Sequence, residues 1–296
     1  MPIALLSTVL AFVIWGLLPI FWKSLQGVPA LEILSQRMVW ALLFLLLLLA
    51  YKGRWRWLGP ALRSPRLLGL TGLCSLLLAL NWGTYIWAVN SGHLVETSLG
   101  YYINPLVNVL LGTLILKERL RPLQWLAIAI AASGVLYMTL SYGRPPWIAL
   151  TLGFSFGFYG LLRKGSSLGA LEGLSLETAL LTLPALLFLL TLAAAGLGHM
   201  GQGTIGTDLL LAATGIATAL PLLLFGIGAR ALPLSTVGLL QYIAPTIQLL
   251  LGIWLYQEPF EASQRWGFGM IWAALLLYSL EGLFNHRQTR RRARSG

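Results

Sequence analysis

The chain contains an internal repeat at a spacing of 140 residues, and each copy has room for five membrane-spanning helices. Segment 102–124 aligns without a gap with segment 242–264, with Tyr, Ile, Pro, Gly, Glu and Gln at like positions. Two consecutive copies with an odd number of crossings must enter the bilayer from opposite sides. The repeat therefore predicts an all-α membrane protein built as two inverted five-helix repeats. We expect these repeats at residues 1–142 and 143–285, followed by a basic tail at 286–296.

Apolar runs long enough to cross a bilayer recur along nearly the whole chain. The composition is 57% hydrophobic and 10% charged, whereas a soluble domain typically carries about 25% charged residues. Since a spanning helix needs about 20 apolar residues, the runs predict ten transmembrane helices. The first run is interpreted as a helix because it lacks the pattern of a cleaved signal. The ten runs are 3–22, 31–51, 67–89, 97–116, 122–141, 146–163, 173–197, 208–229, 235–257 and 264–284.

The basic residues are distributed unevenly between the connectors. The chain has 20 Lys and Arg residues and a net charge of +11. Most of them fall in alternate connectors and in the tail, which is the positive-inside pattern of membrane proteins. We therefore expect both termini in the cytoplasm. A nucleic-acid partner is not expected, because no aromatic-interleaved binding module accompanies the tail; lipid headgroups are the expected contact.

Polar side chains inside two predicted spans follow one helical face. Tyr101, Asn104 and Asn108 lie at i, i+3 and i+7, the spacing of one face of an α-helix. At the repeat-related positions, Gln241 replaces Tyr101 and Gln248 replaces Asn108. At membrane depth such groups must face protein or a water-filled cavity. The two stripes therefore predict either a solute cavity or a set of interhelical hydrogen bonds.

Prolines accompany both stripes. A proline within a helix removes one backbone hydrogen bond and frees a carbonyl group, which membranes tolerate where neighbours or water satisfy that group. We expect a solute cavity near the midplane, where the repeats meet. Its predicted lining is Asn81, Trp82, Tyr85, Tyr101, Asn104, Asn108, Gln241, Tyr242 and Gln248. The predicted helix breaks are Pro105, Pro221 and Pro245.

Two charged residues fall inside apolar spans, at positions that the repeat relates to each other. Arg37 lies in the second span and Glu177, 140 residues later, in the seventh. A charge at the centre of a bilayer costs at least about 2.5–3.5 kcal/mol. One hypothesis is that either residue binds an ionic substrate or carries a coupling proton. The alternative is that each extends to the lipid headgroups or forms a structural pair with a neighbouring loop.

The sequence has no recognisable catalytic, cofactor-binding or metal-binding pattern. It lacks a phosphate-binding loop and a nucleophile elbow, and Asp208 is its single aspartate. His93, His199 and His286 lie near three different predicted loops, which is unlike a metal site. The single cysteine, Cys74, lies in an apolar run and is expected to be a buried thiol. We therefore expect neither enzyme activity, nor a cofactor, nor a bound metal.

Several runs of residues are typical of one family of transporters. They are Glu96–Asn108, Asn81-Trp82, Ile86–Asn90, Phe154–Leu161, Leu234–Thr236 and Gln241–Thr246. On these runs the chain resembles the EamA-type branch of the drug/metabolite transporter superfamily, and within it the RarD group. The resemblance extends over about residues 8–284. Thr97 stands where an alanine is more familiar in that group.

The resemblance implies an inner-membrane secondary transporter with a cavity lined mainly by spans one, three, four, six, eight and nine. Our interpretation is a permease or exporter of a small organic metabolite or drug that works by alternating access. Transport would be facilitative or coupled to a proton or a counter-solute. The alternative is a membrane partner or assembly subunit without transport activity. The sequence leaves the substrate, the direction of transport and the oligomeric state open.

Overall fold

The computed structural model describes residues 2–53, 55–90, 94–142, 146–255, 257, 265–278 and 280–281. Within these residues the chain is helical, and the ranges follow the predicted spans to within a few residues. The helices are α1 Pro2–Lys23, α2 Ala30–Tyr51, α3 Leu58–Leu62, α4 Pro65–Asn90, α5 Leu94–Leu114, α6 Pro122–Tyr142, α7 Trp147–Gly165, α8 Ala170–Ala194, α9 Ile205–Ala231, α10 Leu234–Leu240, α11 Ile243–Trp254 and α12 265–278.

Seven of the described helical segments are long and apolar enough to cross a membrane. The protein is therefore a multi-pass membrane protein. The short helix α3 was not expected; it lies in the basic connector that precedes α4. Cys74 is buried, as expected. Glu258, His93, His286 and the basic tail lie outside the described residues.

Proline residues mark several helix starts. Pro65 and Pro122 are the first residues of α4 and α6, where the missing N–H would have had no helical partner. Pro29 and Pro233 come directly before α2 and α10. A proline restricts the residue before it to extended conformations, so these positions end the preceding segment and direct the chain into the next helix.

The three prolines predicted to break helices behave differently from one another. The ninth predicted span does break: α10 ends at Leu240 and α11 begins at Ile243. Since Pro245 has no N–H, the Gln241 carbonyl accepts a bond from the Ala244 N–H instead, at 3.2 Å. Pro105 and Pro221 were wrongly predicted as breaks.

Helices α5 and α9 continue through Pro105 and Pro221 respectively. A single proline removes one intrahelical bond, and the turns on either side can keep theirs. The loss of that bond therefore does not by itself end a helix.

Most helix packing joins a helix of the first sequence half to one of the second. Helix α1 packs against α9 and α11, and α2 packs against α9. In the same way α7 packs against α4 and α5, and α8 packs against α4. We call α1, α2, α9 and α11 the first bundle, and α4, α5, α7 and α8 the second bundle. The α2–α8 and α5–α10 contacts join the two bundles.

The same close approach recurs at repeat-related positions. A Cβ atom placed on Gly157 would lie 2.6 Å from Val107 Cγ1, and one on Gly16 would lie 2.7 Å from Ile247 Cβ. Gly16 corresponds to Gly157 in the repeat, and Ile247 to Val107. Glycine lets two helix backbones approach closely. The contact between α5 and α7 thus has a counterpart between α1 and α11.

Candidate functional site

A cavity of about 150 Å³ lies between the two bundles. Its lining along α1 runs from Phe12, near the middle of the helix, to Trp22 in the last turn. The deep wall at Phe12, Gln241 and Ala244 is buried, whereas Trp22 is partly exposed. The cavity therefore widens toward the end of the bundles at which α1 ends.

The structure brings six of the nine predicted site residues to this cavity. These six are Asn81, Trp82, Tyr85, Tyr101, Gln241 and Gln248. They come from α4, α5, α11 and the break between α10 and α11. Residues from the two sequence halves thus face one space because their helices pack beside each other.

The other three predicted residues do not line the cavity. Asn104, Asn108 and Tyr242 are 5%, 0% and 0% exposed and lie in the packed contact between α5 and α10. Asn108 Nδ2 donates to Gln241 Oε1 at 2.7 Å, and the Tyr242 hydroxyl donates to the Tyr102 carbonyl at 3.1 Å. Asn108 and Tyr242 thus make interhelical bonds, the alternative interpretation of the stripe, whereas Asn104 accepts from Asn108 Nδ2 within α5, at 3.4 Å.

Two amide side chains of the lining also tie helices together. Asn81 Nδ2 donates to the Leu152 carbonyl and to Ser155 Oγ, each at 2.9 Å, which joins α4 to α7. Gln248 Nε2 donates to the Trp15 carbonyl at 3.1 Å, which joins α11 to α1. Each bond lies within one bundle, so both amides help to hold the cavity walls in place.

Arg37 is the charged side chain of the cavity. Its Nε donates to Thr218 Oγ1 at 3.0 Å. Its guanidinium carbon lies 4.6 Å from the ring centroid of Trp82 and 5.4 Å from that of Trp22. Both distances are within the range of cation–π attraction. The sequence singled out Arg37 and Trp82; Trp22 was missed because a tryptophan at a predicted helix end is usually a membrane-interface residue.

Aromatic rings form the deep end of the cavity. The Trp15 and Phe156 centroids are 5.7 Å apart, and both rings contact Phe225, at 5.8 and 5.2 Å. Such tilted and edge-on arrangements stabilise a packed aromatic group. Phe12 and Phe156 line the cavity but were not predicted as site residues. Their signal in the sequence was weak, since phenylalanine in an apolar span is equally suited to lipid or core packing.

Glu177 lies in a separate, closed cluster. Its Oε1 accepts from Arg163 Nη1 at 3.2 Å, and both side chains are 2% exposed. The Tyr159 hydroxyl donates to Glu177 Oε2 at 3.1 Å. Tyr159 and Arg163 follow Phe156 by one and two turns of α7, so this cluster lies beyond the deep end of the cavity. Arg37 and Glu177 are therefore in different environments: Arg37 lines the cavity, whereas Glu177 forms a structural pair with Arg163.

The described residues contain no group of three or more His, Cys, Asp and Glu side chains that could hold a metal ion. His199 instead contacts Glu32: its backbone N–H donates to Glu32 Oε1 and its Nδ1 lies 2.8 Å from Glu32 Oε2. This contact ties the start of α2 to the connector between α8 and α9. Glu32 and His199 thus join the two sequence halves at the membrane surface where the cavity widens.

Comparisons with known proteins agree with one another. A model of the EamA-like transporter family matches residues 2–140. Protein RarD of Streptomyces exfoliatus is 48% identical over 282 residues, which are 95% of this chain and 90% of that protein. An uncharacterized transporter of Bacillus subtilis, YojE, is 50% identical over 92% of each chain. A solved structure, 19% identical, matches with a TM-score of 0.70 over 94% of this chain and 97% of that one, which shows a shared fold.

Proposed function

Because the chain belongs to the EamA-like transporter family and to its RarD group, we propose that it moves a small organic solute across the inner membrane through the cavity between its bundles. The observation that carries this proposal is the cavity itself. Polar and aromatic side chains from both sequence halves line a space inside a multi-pass membrane protein. Such sites at the meeting point of repeats are typical of secondary transporters.

The proposed architecture is ten spans in two inverted repeats, with both termini in the cytoplasm. In the repeat, α1 corresponds to α7, α4 to α9 and α5 to α11. The α1–α9 contact therefore corresponds to the α7–α4 contact, and the α1–α11 contact to the α7–α5 contact. The paired glycine contacts at Gly16 and Gly157 follow the same exchange. Lys117 and Gln257, also repeat partners, both have a φ of 54°. These correspondences support a two-fold relation between the halves.

In the proposed transport cycle, the open end of the cavity closes and the closed end opens. Trp22 and Arg37 lie at the wider end, and their repeat partners are Arg163 and Glu177, which close the other end. At the first end Arg37 makes a cation–π contact with Trp22, and at the second end Arg163 forms an ion pair with Glu177. In the alternate state, the Trp22 and Arg37 end closes and the Arg163 and Glu177 end opens.

The bodies that move in this cycle are the two bundles, each of which contains helices from both sequence halves. Rocking of packed helical units around a fixed central site is a known form of alternating access. The driving force is the solute gradient itself, or a proton or counter-solute gradient. The positive-inside distribution of Lys and Arg places the wider end of the cavity on the outer side of the membrane in this structure.

The test is flux in proteoliposomes. Vesicles are loaded with a mixture of small metabolites, and the solutes that leave are quantified by mass spectrometry, with and without a proton gradient. We expect at least one solute to leave at least tenfold faster than from protein-free vesicles. Ala244→Trp, which places a large ring in the cavity wall, should abolish that excess. Ala129→Trp, on an exposed face of α6, is the matched control and should not.

The rival function, a membrane partner without transport activity, predicts a different result. No solute would then leave faster than from protein-free vesicles under any gradient. Equal flux through wild type and Ala244→Trp, with both proteins monodisperse in size-exclusion chromatography, would show transport that bypasses this cavity.

A further inference from the structure

We propose that the cavity selects a small organic monoanion, namely a carboxylate on a planar, apolar body. This inference rests on the proposed transport function and names the class of solute. It is carried by the charge of the cavity, by the unused hydrogen-bond donors of Arg37 and by the shape of the aromatic walls.

The cavity has a positive charge that its lining does not neutralise. Among the described residues that form its wall, Arg37 is the only charged one. No carboxylate whose side chain the structure describes lies within ion-pair distance of Arg37. Arginine keeps its charge at any physiological pH, and an unpaired charge at membrane depth is costly. An anionic solute would supply the missing counter-charge.

The repeat provides an internal comparison. At the partner position, Glu177 is neutralised by Arg163, and the Arg163 guanidinium also donates to the Gly169 and Ala170 carbonyls. Around Arg37, the described neighbours are the rings of Trp22 and Trp82 and the hydroxyl of Thr218, none of which is an anion. The two positions therefore differ in one respect that matters for binding: among the side chains that the structure describes, Glu177 has a counter-ion from the protein and Arg37 has none.

Arg37 has donors left for a carboxylate. A guanidinium group has five N–H donors, and the described bond to Thr218 uses the one on Nε. The two terminal nitrogens form the planar fork that binds a carboxylate through two parallel hydrogen bonds. One guanidinium balances one negative charge. A monoanionic carboxylate is thus a better match than a phosphate monoester, which carries about −1.5 to −2 at neutral pH.

The walls favour a planar apolar body. Trp15, Trp22, Trp82 and Phe156 present ring surface to the cavity, and rings of this kind pack against planar solutes in offset or edge-on geometry. The volume, about 150 Å³, is similar to that of an engineered cavity that accommodates benzene. A single ring with a short acidic arm is therefore of suitable size.

The same wall disfavours an amine. An ammonium group would lie near the positive charge of Arg37, and the described lining contains no carboxylate to offset that repulsion. A zwitterionic amino acid would bind more weakly than the carboxylate without its amino group. The inference thus predicts a rank order: aromatic carboxylate, then amino acid, then neutral alcohol and amine.

The test uses four probes that share one ring: phenylacetate, phenylalanine, benzyl alcohol and phenethylamine. Binding to the purified full-length protein in detergent is measured by calorimetry and by tryptophan fluorescence. We expect phenylacetate to bind at least tenfold more tightly than the amine and the alcohol. Arg37→Gln should remove that preference, and Arg37→Lys should retain part of it. Arg119→Gln, which removes an exposed arginine outside the cavity, is the matched control and should have no effect.

The ranking of probes by the wild-type protein is informative even if Arg37→Gln does not fold. Equal binding of all four probes, preference for the amine, or no binding of any probe would overturn the assignment of an anion. A preference for phenylacetate that Arg37→Gln leaves intact in a folded variant would overturn the role of Arg37. None of these results affects the flux test with Ala244→Trp, so the failure of the anion assignment and the failure of the transport function can be told apart.

Discussion

Arg37 and Glu177 occupy repeat-related positions, yet one lines a cavity and the other lies in a closed cluster. The sequence predicted that both would be inside the membrane. It could not predict that Arg163, the last residue of the predicted span 146–163, would be 1% exposed and paired with Glu177. The reason is local space: Gly173 and Gly226 lack side chains where the Arg163 guanidinium lies against α8 and α9. A hydropathy pattern predicts that an arginine at a helix end is exposed. Whether its side chain is buried depends on how the neighbouring helices pack around it.

The buried ion pair leads to a prediction at this scale. Removing one partner of such a pair costs about 3–5 kcal/mol, because the other charge stays buried without compensation. We expect Glu177→Leu to lower the thermal unfolding temperature in detergent markedly. The double variant Arg163→Met/Glu177→Leu should recover most of that loss. If the double variant unfolds at the temperature of the single one, the loss would have to come from packing and not from the isolated charge of Arg163.

At the scale of helices, repeat-related glycines set how closely two helices pack within each bundle. Gly157 admits Val107 of α5 against α7, and Gly16 admits Ile247 of α11 against α1. The spacing of Gly153 and Gly157 in the sequence is typical of close helix packing. It does not identify the partner helix, since the spacing of small residues describes one face of one helix and not the surface that packs against it.

Substitutions of two glycines should therefore have opposite effects. In Gly157→Ala the new Cβ would lie 2.6 Å from Val107 Cγ1, and overpacking of this kind costs about 1–3 kcal/mol. Gly72 lies inside α4 with no atom of a neighbour within 4 Å of a Cβ placed there. Gly72→Ala should instead stabilise by about 0.5–1 kcal/mol through helix propensity. Thermal unfolding of both variants checks this, and a shift of equal sign would contradict it.

The prolines mark another limit of prediction from sequence. Pro105 and Pro245 are repeat partners and remove the same backbone bond, yet α5 is continuous and the second copy divides into α10 and α11. Identical local chemistry thus gives two outcomes. The freed carbonyl can remain within a continuous helix, or it can accept a tighter bond from the residue three positions later, as the Gln241 carbonyl does. Which of the two occurs depends on the helices packed around it.

At the scale of the whole molecule, the apolar runs predicted the bounds of the described helices to within a few residues, because helix length and hydropathy are properties of the local sequence. The interleaving of the two halves was not predictable in that way. Periodicity locates the polar face of a helix such as α5 but gives no information on the helix that will cover it. For this reason six of the nine predicted residues line the cavity, and Asn104, Asn108 and Tyr242 lie in a helix contact.

The proposed inverted topology predicts which surface points share a side of the membrane. Arg63 lies in the exposed connector before α4, and Gln202 lies in the exposed connector before α9. Helices α4 and α9 are related by the repeat. In a Cys74→Ala background, Arg63→Cys should react with an impermeant maleimide only from the cytoplasmic side. Gln202→Cys should react only from the outer side. Intact and inverted membrane vesicles provide the two arms, and labelling of both sites from one side would rule out an odd number of crossings between them.

The interleaved packing of α1 with α9 and of α7 with α5 has a consequence for biogenesis. Helices α1, α2, α4 and α5 leave the ribosome before α7, α9 and α11 have been synthesised, so their contact faces first lie against lipid. Insertion and assembly are then separate stages, and the protein reaches its final form only after the last spans have been synthesised. A chain truncated after the first repeat should insert normally and yet remain a target for membrane proteases, unless a second copy supplies the missing surfaces.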